Sequence, residues 1–236
     1  MGGILRTVNR IKWVAQFFAL CKILVKERMD VTLSASEVHK LKKAPPVEGV
    51  VPLIHERWSP RSFTDREVSP ALLAKVFEAA RWAASSNNEQ PWRFLVGRRG
   101  DSTWEKIYAA LTGHNPKWAR TAPVLILGAA KTKFSHNGVE NRNALYDLGA
   151  AAAYLVLQAT ALGLAAHQMA GFDQEAARKA FGIPEEFAIG AVIALGYQGE
   201  PAALGDETLI QRETAARTRK PLGEFVYKEW GEPAGL

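Results

Sequence analysis

The chain has 236 residues, 47% of them hydrophobic and 23% charged, with a formal net charge of +6. That length is enough for one substantial core, and the composition is that of an ordinary globular protein. The single cysteine, Cys21, excludes an intramolecular disulfide and a thiolate metal cluster, and five scattered histidines without H-x-x-x-H spacing argue against a metal site.

The charge is concentrated at one end. Residues 1–43 hold nine Lys and Arg against Glu27, Asp30 and Glu37, a surplus of six that equals the whole net charge; the remainder balances at 21 against 21. The basic character therefore belongs to an N-terminal extension. It gives no support to a nucleic-acid-binding body. Within the extension, residues 4–28 predict an amphipathic helix, with Asn9, Lys12, Gln16, Lys22 and Lys26 on one stripe and Ile4, Val8, Ile11, Phe18 and Val25 on the other. It is short and interrupted for a bilayer span, and no small-residue cleavage site follows it. Two readings stay open: packing on its own domain or a partner subunit, or peripheral contact of residues 1–43 with a membrane. Residues 44–52 read as a linker, so the chain divides into an extension over residues 1–45 and a main domain over 46–236, with regular structure from about Pro52.

In the segment Ile54–Phe63, Pro60 biases Ser59 towards an extended backbone. Residues two apart then share a face, so Arg57, Ser59 and Arg61 project together, with Trp58 between them. Two guanidinium forks around a hydroxyl suit a phosphate; a solvated basic turn suits the same residues. Next, Ser69 as cap, Pro70 at N1 and apolar residues at helical spacing predict a helix over Pro70–Trp82, and Trp92–Val96 reads as a strand. Between them Ser85, Ser86, Asn87, Asn88 and Gln90 offer hydroxyls and amides that can hydrogen-bond a flat heterocycle. A helix C-cap followed by an Asx turn explains the same residues.

A helix is expected over Asp101–Leu111, broken by Gly113-His-Asn-Pro. Val124–Ala130 is an apolar run of strand length, pointing to a central strand covered on both faces. Glu140–Leu162 predicts a long Ala-rich helix, suited to the core or to a dimer seam, and Gly163 ends it. Ala165–Phe172 reads as a strand running into a glycine turn, with His167 and Met169 as packing residues. Asp173 caps a helix through Phe181, and Phe187–Leu195 is a further buried strand. One or two helical turns are expected within Gln211–Lys220. Arg217 and Arg219 again stand two apart, before Pro221. No G-x-G-x-x-G or Walker A sequence is present, so a Rossmann nucleotide site is not indicated.

Four motifs occur in order: Arg57-x-Ser59-x-Arg61-x-Phe63, Ser85-Ser86-x-Asn88-x-Gln90-Pro91-Trp92, Gly171-Phe172-Asp173 after the Ala-rich helix, and Arg217-x-Arg219-x-Pro221. Together, over roughly Pro52–Val226, they resemble the FMN-dependent nitroreductase family. The resemblance implies an α+β fold with a central mixed β-sheet flanked by helices, in an intertwined homodimer with FMN at the interface. It places Arg57, Trp58 and Ser59 along the FMN phosphate and ribityl chain, and Arg61 at the N1/C2=O edge of the ring. Ser85, Ser86 and Asn88 would come from the other subunit, and Gln168, Met169, Ala170 and Gly171 would line the N5 side. Arg217 and Arg219 would close on the phosphate, and Asn115 would correspond to a family Asn facing the pyrimidine ring. Ala84 stands where many relatives have Pro, and Ala170 where some have an acid, which leaves the substrate class open.

The implied activity is a cytoplasmic oxidoreductase that moves hydride from NADH or NADPH through FMN to a small electron-poor acceptor, such as a nitroaromatic or quinone, in ping-pong fashion without a dedicated catalytic base. Two alternatives remain at this stage. One is a specialised flavin enzyme of the same fold, a dehalogenase or a flavin-fragmenting synthase. The other is a flavin-binding protein docked to a membrane or partner through its N-terminal helix.

Overall fold

The computed structural model describes residues 33–236. The helix expected over residues 4–28 lies outside them. The described part of the extension forms α1 (Ala35–Lys42), opened by a capping box in which Ser34 and Glu37 satisfy each other's backbone N–H groups. This helix lies on the body: Val38 is fully buried, Ala35 N–H donates to Glu200, and Gln198 donates to the Ala35 carbonyl. A turn leads into α2 (Pro52–Glu56), and α3 (Pro70–Arg81) is capped by the Ser69 side chain as its sequence predicts.

Four strands build the main sheet: β1 (Trp92–Arg98), β2 (Val124–Lys131), β3 (Ala165–Met169) and β4 (Phe187–Gly196), in the order β1-β2-β4-β3. Against the expectation of a mixed sheet, every pairing among the described residues is antiparallel. A parallel relation survives between β2 and β3, but β4 is inserted between them, making a split β-α-β unit whose crossover is the long helix α6. The short helices α4 (Ser102–Ala109) and α5 (Asn115–Ala119) lie between β1 and β2. α6 (Ala144–Ala161) links β2 to β3, and α7 (Gln174–Phe181) links β3 to β4. After β4 come α8 (Glu207–Thr214) and a small hairpin of β5 (Tyr227–Glu229) and β6 (Glu232–Pro233).

The sheet is covered on both faces, which is why its inner strands read as unbroken apolar runs. Leu125 and Leu127 of β2, with Val192 and Ala194 of β4, face a cluster holding Trp104, Ile107 and Trp118. Val124 and Ile126, with Ile193 and Leu195, face α3 and α6 through Val76, Leu155 and Val156. Each of the larger side chains contributes roughly 1.5–3 kcal/mol by burial.

Two helices differ in extent from the sequence expectation. α6 begins at Ala144 rather than Glu140, because Glu140 bridges back to Lys133 and the Asn141 backbone N–H donates to Thr132. α8 begins at Glu207, capped by the Asp206 side chain, and ends where Ala215 turns extended at φ −62° and ψ 142°. The sheet also leans closely on α4. A Cβ at Gly97 would collide with the Trp104 backbone nitrogen. Because backbone cannot yield as a side chain can, Gly97→Ala is expected to destabilise the fold by about 2–3 kcal/mol, read as a lowered thermal midpoint.

Candidate functional site

The segment Arg57–Arg61 leaves α2 with its side chains half-buried around the covered Trp58. Arg57 Nη1 donates to Ser59 Oγ at 3.2 Å. Arg217 donates through Nη1 to the carbonyls of Lys42, at 2.7 Å, and Arg57, at 3.0 Å. This guanidinium thus ties the end of α1 to the exit of α2. Arg219 is exposed and donates to the Thr218 carbonyl. Arg217 and Arg219 stand close enough to Arg57 to disfavour its charge. Burial, then Arg217 and Arg219, holds Arg57 below the usual arginine range; burial, then Arg219, does the same for Arg217. None of the three pairs with a carboxylate among the described residues.

Arg61 is different. Its backbone N–H donates to both oxygens of Glu213, at 3.0 and 2.9 Å, and its guanidinium stands 3.9 Å from Glu213 Oε2. Glu213 is completely buried, and burial pushes its carboxyl above the ordinary range against the N–H groups of Arg61 and Ser62 that favour the anion.

The strand β3 lies against this segment. The His167 ring, through Nδ1, is 2.9 Å from the Pro60 carbonyl and packs 4.6 Å from the Trp118 ring. Burial lowers its pKa from 6.5 to about 4, with Arg61 and Arg57 adding to the shift. The folded protein therefore excludes a proton that the unfolded chain accepts. This contribution to stability is intact above about pH 6.5 and is lost as pH falls towards 4. His167→Gln is expected to flatten that part of the stability profile, a difference of at most about 3 kcal/mol measured by denaturant titration across the window.

Beyond His167, Gln168 is exposed, Met169 is buried in the core, and Ala170 and Gly171 open to solvent. The Gly171 carbonyl accepts from Asn115 Nδ2 at 2.9 Å and from the Thr112 N–H at 3.0 Å. A Cβ on Gly171 would fall 2.7 Å from Asn115 Nδ2. Glycine is therefore required for this amide to close on the turn.

Ser85, Ser86 and Asn88 lie elsewhere. Their loop holds three non-glycine residues at positive φ, Asn87, Asn88 and Gln90, a strained cluster of the kind found at ligand sites. Ser86 N–H donates to Asp147 at the start of α6, Ser85 Oγ accepts from Gln90 N–H, and Glu89 binds Ser135. Arg57 and Trp58, by contrast, line a cavity with Thr160, Gly163 and Leu164 at the far end of α6. From Asp147 to Thr160, both within α6, the helix rises about 20 Å. One protomer brings together Arg57, Trp58, Ser59, Arg217 and Arg219, with Arg61 following on the same segment, whereas Gln168 lines a separate cavity with Leu145, Leu148 and Gly149 near the start of α6, the end that holds the serine–asparagine loop.

The Nitroreductase family model matches residues 54–117 and 101–197. The chain belongs to the nitroreductase family. A protein of Archaeoglobus fulgidus provisionally named an NADH dehydrogenase/NAD(P)H nitroreductase is 29% identical over 64% of this chain and 86% of its own length. A crystal structure of an oxidoreductase containing FMN superposes with a TM-score of 0.73 at 31% identity, covering 79% of this chain and 95% of that one. A protein from Desulfovibrio desulfuricans provisionally named a nitroreductase, solved in complex with FMN, gives 0.63 at 26% identity, over 78% and 98% of the two chains.

Lys42 and Glu213, which lie outside the family match, are the charged residues that sequence reasoning passed over. Glu213 falls four residues after the buried Leu209, on the inward stripe of α8, and an acid at that phase is a readable sign of a buried charge. Lys42 offers no comparable signal.

Proposed function

We propose that this protein is an FMN-dependent oxidoreductase that takes hydride from NADH or NADPH and passes it, in ping-pong fashion, to an electron-poor acceptor such as a nitroaromatic or quinone. The observation that carries the reading is the convergence of Arg57, Arg217 and Arg219 without a carboxylate partner among the described residues. Three mutually repelling cations beside a hydroxyl form a site that an anion completes, and a phosphate of about two negative charges fits it. The turn at Gly171, where the lack of a Cβ lets the Asn115 amide approach, follows the strand whose His167 packs on Pro60 of the same segment.

In this reading Arg57, Ser59 and Arg219 grip the phosphate while Arg217 fixes the backbone beneath them and adds its charge. Arg61 presents a cation to the pyrimidine edge of the ring, and Gln168, Ala170 and Gly171 border the N5 side above the buried Met169. FMN, when bound, supplies the hydride chemistry; the protein supplies position and charge.

Ser85, Ser86 and Asn88 enter from a second copy. The outward face of α6 carries Leu145, Tyr146, Gly149, Ala153 and Tyr154 without a charge, and Tyr146 is 81% exposed. Two such faces packed antiparallel across a two-fold axis set the start of one α6 beside the end of the other. That arrangement delivers the partner's loop to the arginine cluster.

The test is a visible spectrum of the purified protein, then anaerobic addition of NADH or NADPH. Flavin bands that bleach are expected. A colourless protein that cannot be reconstituted with FMN would overturn the reading.

A further inference from the structure

We infer that Lys42 and Glu213 are positioning residues for Arg61, and that through Arg61 they set, with opposite signs, how readily a flavin bound in this site is reduced. The inference rests on the flavin reading above and adds to it a pair of buried charges outside the family-matched residues 54–197.

Three charged groups cluster here. Glu213, on α8, has no exposed surface, and Lys42, at the end of α1, is 6% exposed. The Lys42 ammonium donates to the Arg212 and Ala215 carbonyls, covers the Trp58 ring at 5.1 Å, and stands near enough to Glu213 to favour its charge. Arg61, whose side chain keeps 26% of its surface open, adjoins the same carboxylate. Two cations thus gather about one anion, and Arg61 is the one carried on the Arg57–Arg61 segment itself.

Anchoring alone does not account for this arrangement. A buried carboxylate and a buried ammonium each cost several kcal/mol to desolvate, and well-packed apolar side chains hold helices together at no such cost. What a carboxylate adds is direction and charge. Both its oxygens fix the Arg61 backbone N–H, and one also accepts from Ser62 at 3.2 Å, so the segment cannot rotate Arg61 away. The guanidinium itself stands 3.9 Å from Oε2, beside the carboxylate rather than hydrogen-bonded onto it. It is therefore left with donors for a ligand while its field is partly offset by Glu213. Lys42 offsets Glu213 in turn. The N-terminal segment thus contributes to the electrostatics of the site, with α1 delivering Lys42 and Arg217 fastening its backbone carbonyl.

Removing the anion leaves the charge of Arg61 uncompensated, which favours the added negative charge of a reduced ring. Removing the lysine has the opposite effect. The full chain reconstituted with FMN is titrated reductively against reference dyes. Glu213→Gln is expected to raise the ratio of affinities for reduced over oxidised FMN about tenfold and Lys42→Met to lower it about tenfold, each about 30 mV for a two-electron couple. Each shift should disappear in an Arg61→Gln background. Lys42→Met carries the test by itself if Glu213→Gln fails to fold, because the Met stem retains the packing on Trp58. Shifts of the same sign, unchanged potentials, or shifts that persist without Arg61 would overturn the inference while leaving the flavin reading intact. A wild-type chain that takes up no FMN would overturn both.

Discussion

The double variant Arg57→Ala, Arg219→Ala is expected to purify without FMN and to bind added FMN about 10²- to 10⁴-fold more weakly than the wild type. The magnitude follows from two charge-assisted contacts to phosphate at roughly 1.5–3 kcal/mol each. The choice of residues follows from the structure. Arg217 and Arg219 disfavour the charge of Arg57, and neither Arg57 nor Arg219 has an acidic partner among the described residues, so both stand ready for an anion. Arg217 is unsuitable because its Nη1 holds the backbone of Lys42 and Arg57. Its truncation would mix loss of ligand with loss of structure. Removing the two free cations relieves repulsion, so the apo variant should melt no lower than the apo wild type. Equilibrium binding of FMN read by flavin fluorescence, at low and at raised salt, checks the claim: the wild-type affinity should fall with salt more steeply than that of the variant. Unaltered flavin retention in the variant would remove Arg57 and Arg219 from the site.

How much of this was readable beforehand depends on whether the cause is local. α3 declares itself because Ser69, Pro70 and the spacing of Leu73, Val76 and Ala80 are all local causes, and all act in the structure. β2 and β4 declare themselves because burial on both faces leaves no polar position. α1 carried an equally local signal, the Ser34–Glu37 capping box, within what reads as an undifferentiated basic segment. The start of α6 was not readable. It depends on Asn141 reaching back to Thr132, a contact across a loop. Arg217 shows the same limit within the site. Sequence spacing puts it beside Arg219 as a phosphate ligand, and only the fold reveals that part of its guanidinium is bound to carbonyls 160 and 175 residues away. Glu213 and Lys42 belong to that class as well, since their meaning depends on a neighbour that the chain reaches only after folding.

Gly149→Glu is expected to leave the protomer folded and to abolish both dimerisation and FMN binding. Nothing lies within 4 Å of the position a Cβ would take at Gly149, and replacing a mid-helix glycine improves helix propensity by up to about 1 kcal/mol. The fold therefore has no reason to fail. Across a two-fold axis, however, the substitution sets two carboxylates into an apolar seam, where desolvation and mutual repulsion add. Size-exclusion chromatography with light scattering reads the assembly, circular dichroism the fold, and absorbance the flavin. A monomer that still binds FMN tightly would show that one protomer completes the site, and would return Ser85, Ser86 and Asn88 to the status of an ordinary loop. A mixing experiment examines the same geometry from the other side. Ser86→Ala, Asn88→Ala protomers carry an intact arginine cluster, and Arg57→Ala, Arg219→Ala protomers carry an intact loop. Unfolded and refolded together in equal amounts, they form mixed dimers in which one site combines both intact halves, so roughly a quarter of the wild-type flavin capacity should return. Neither variant alone should recover any, because each of its sites is built with the same defective half.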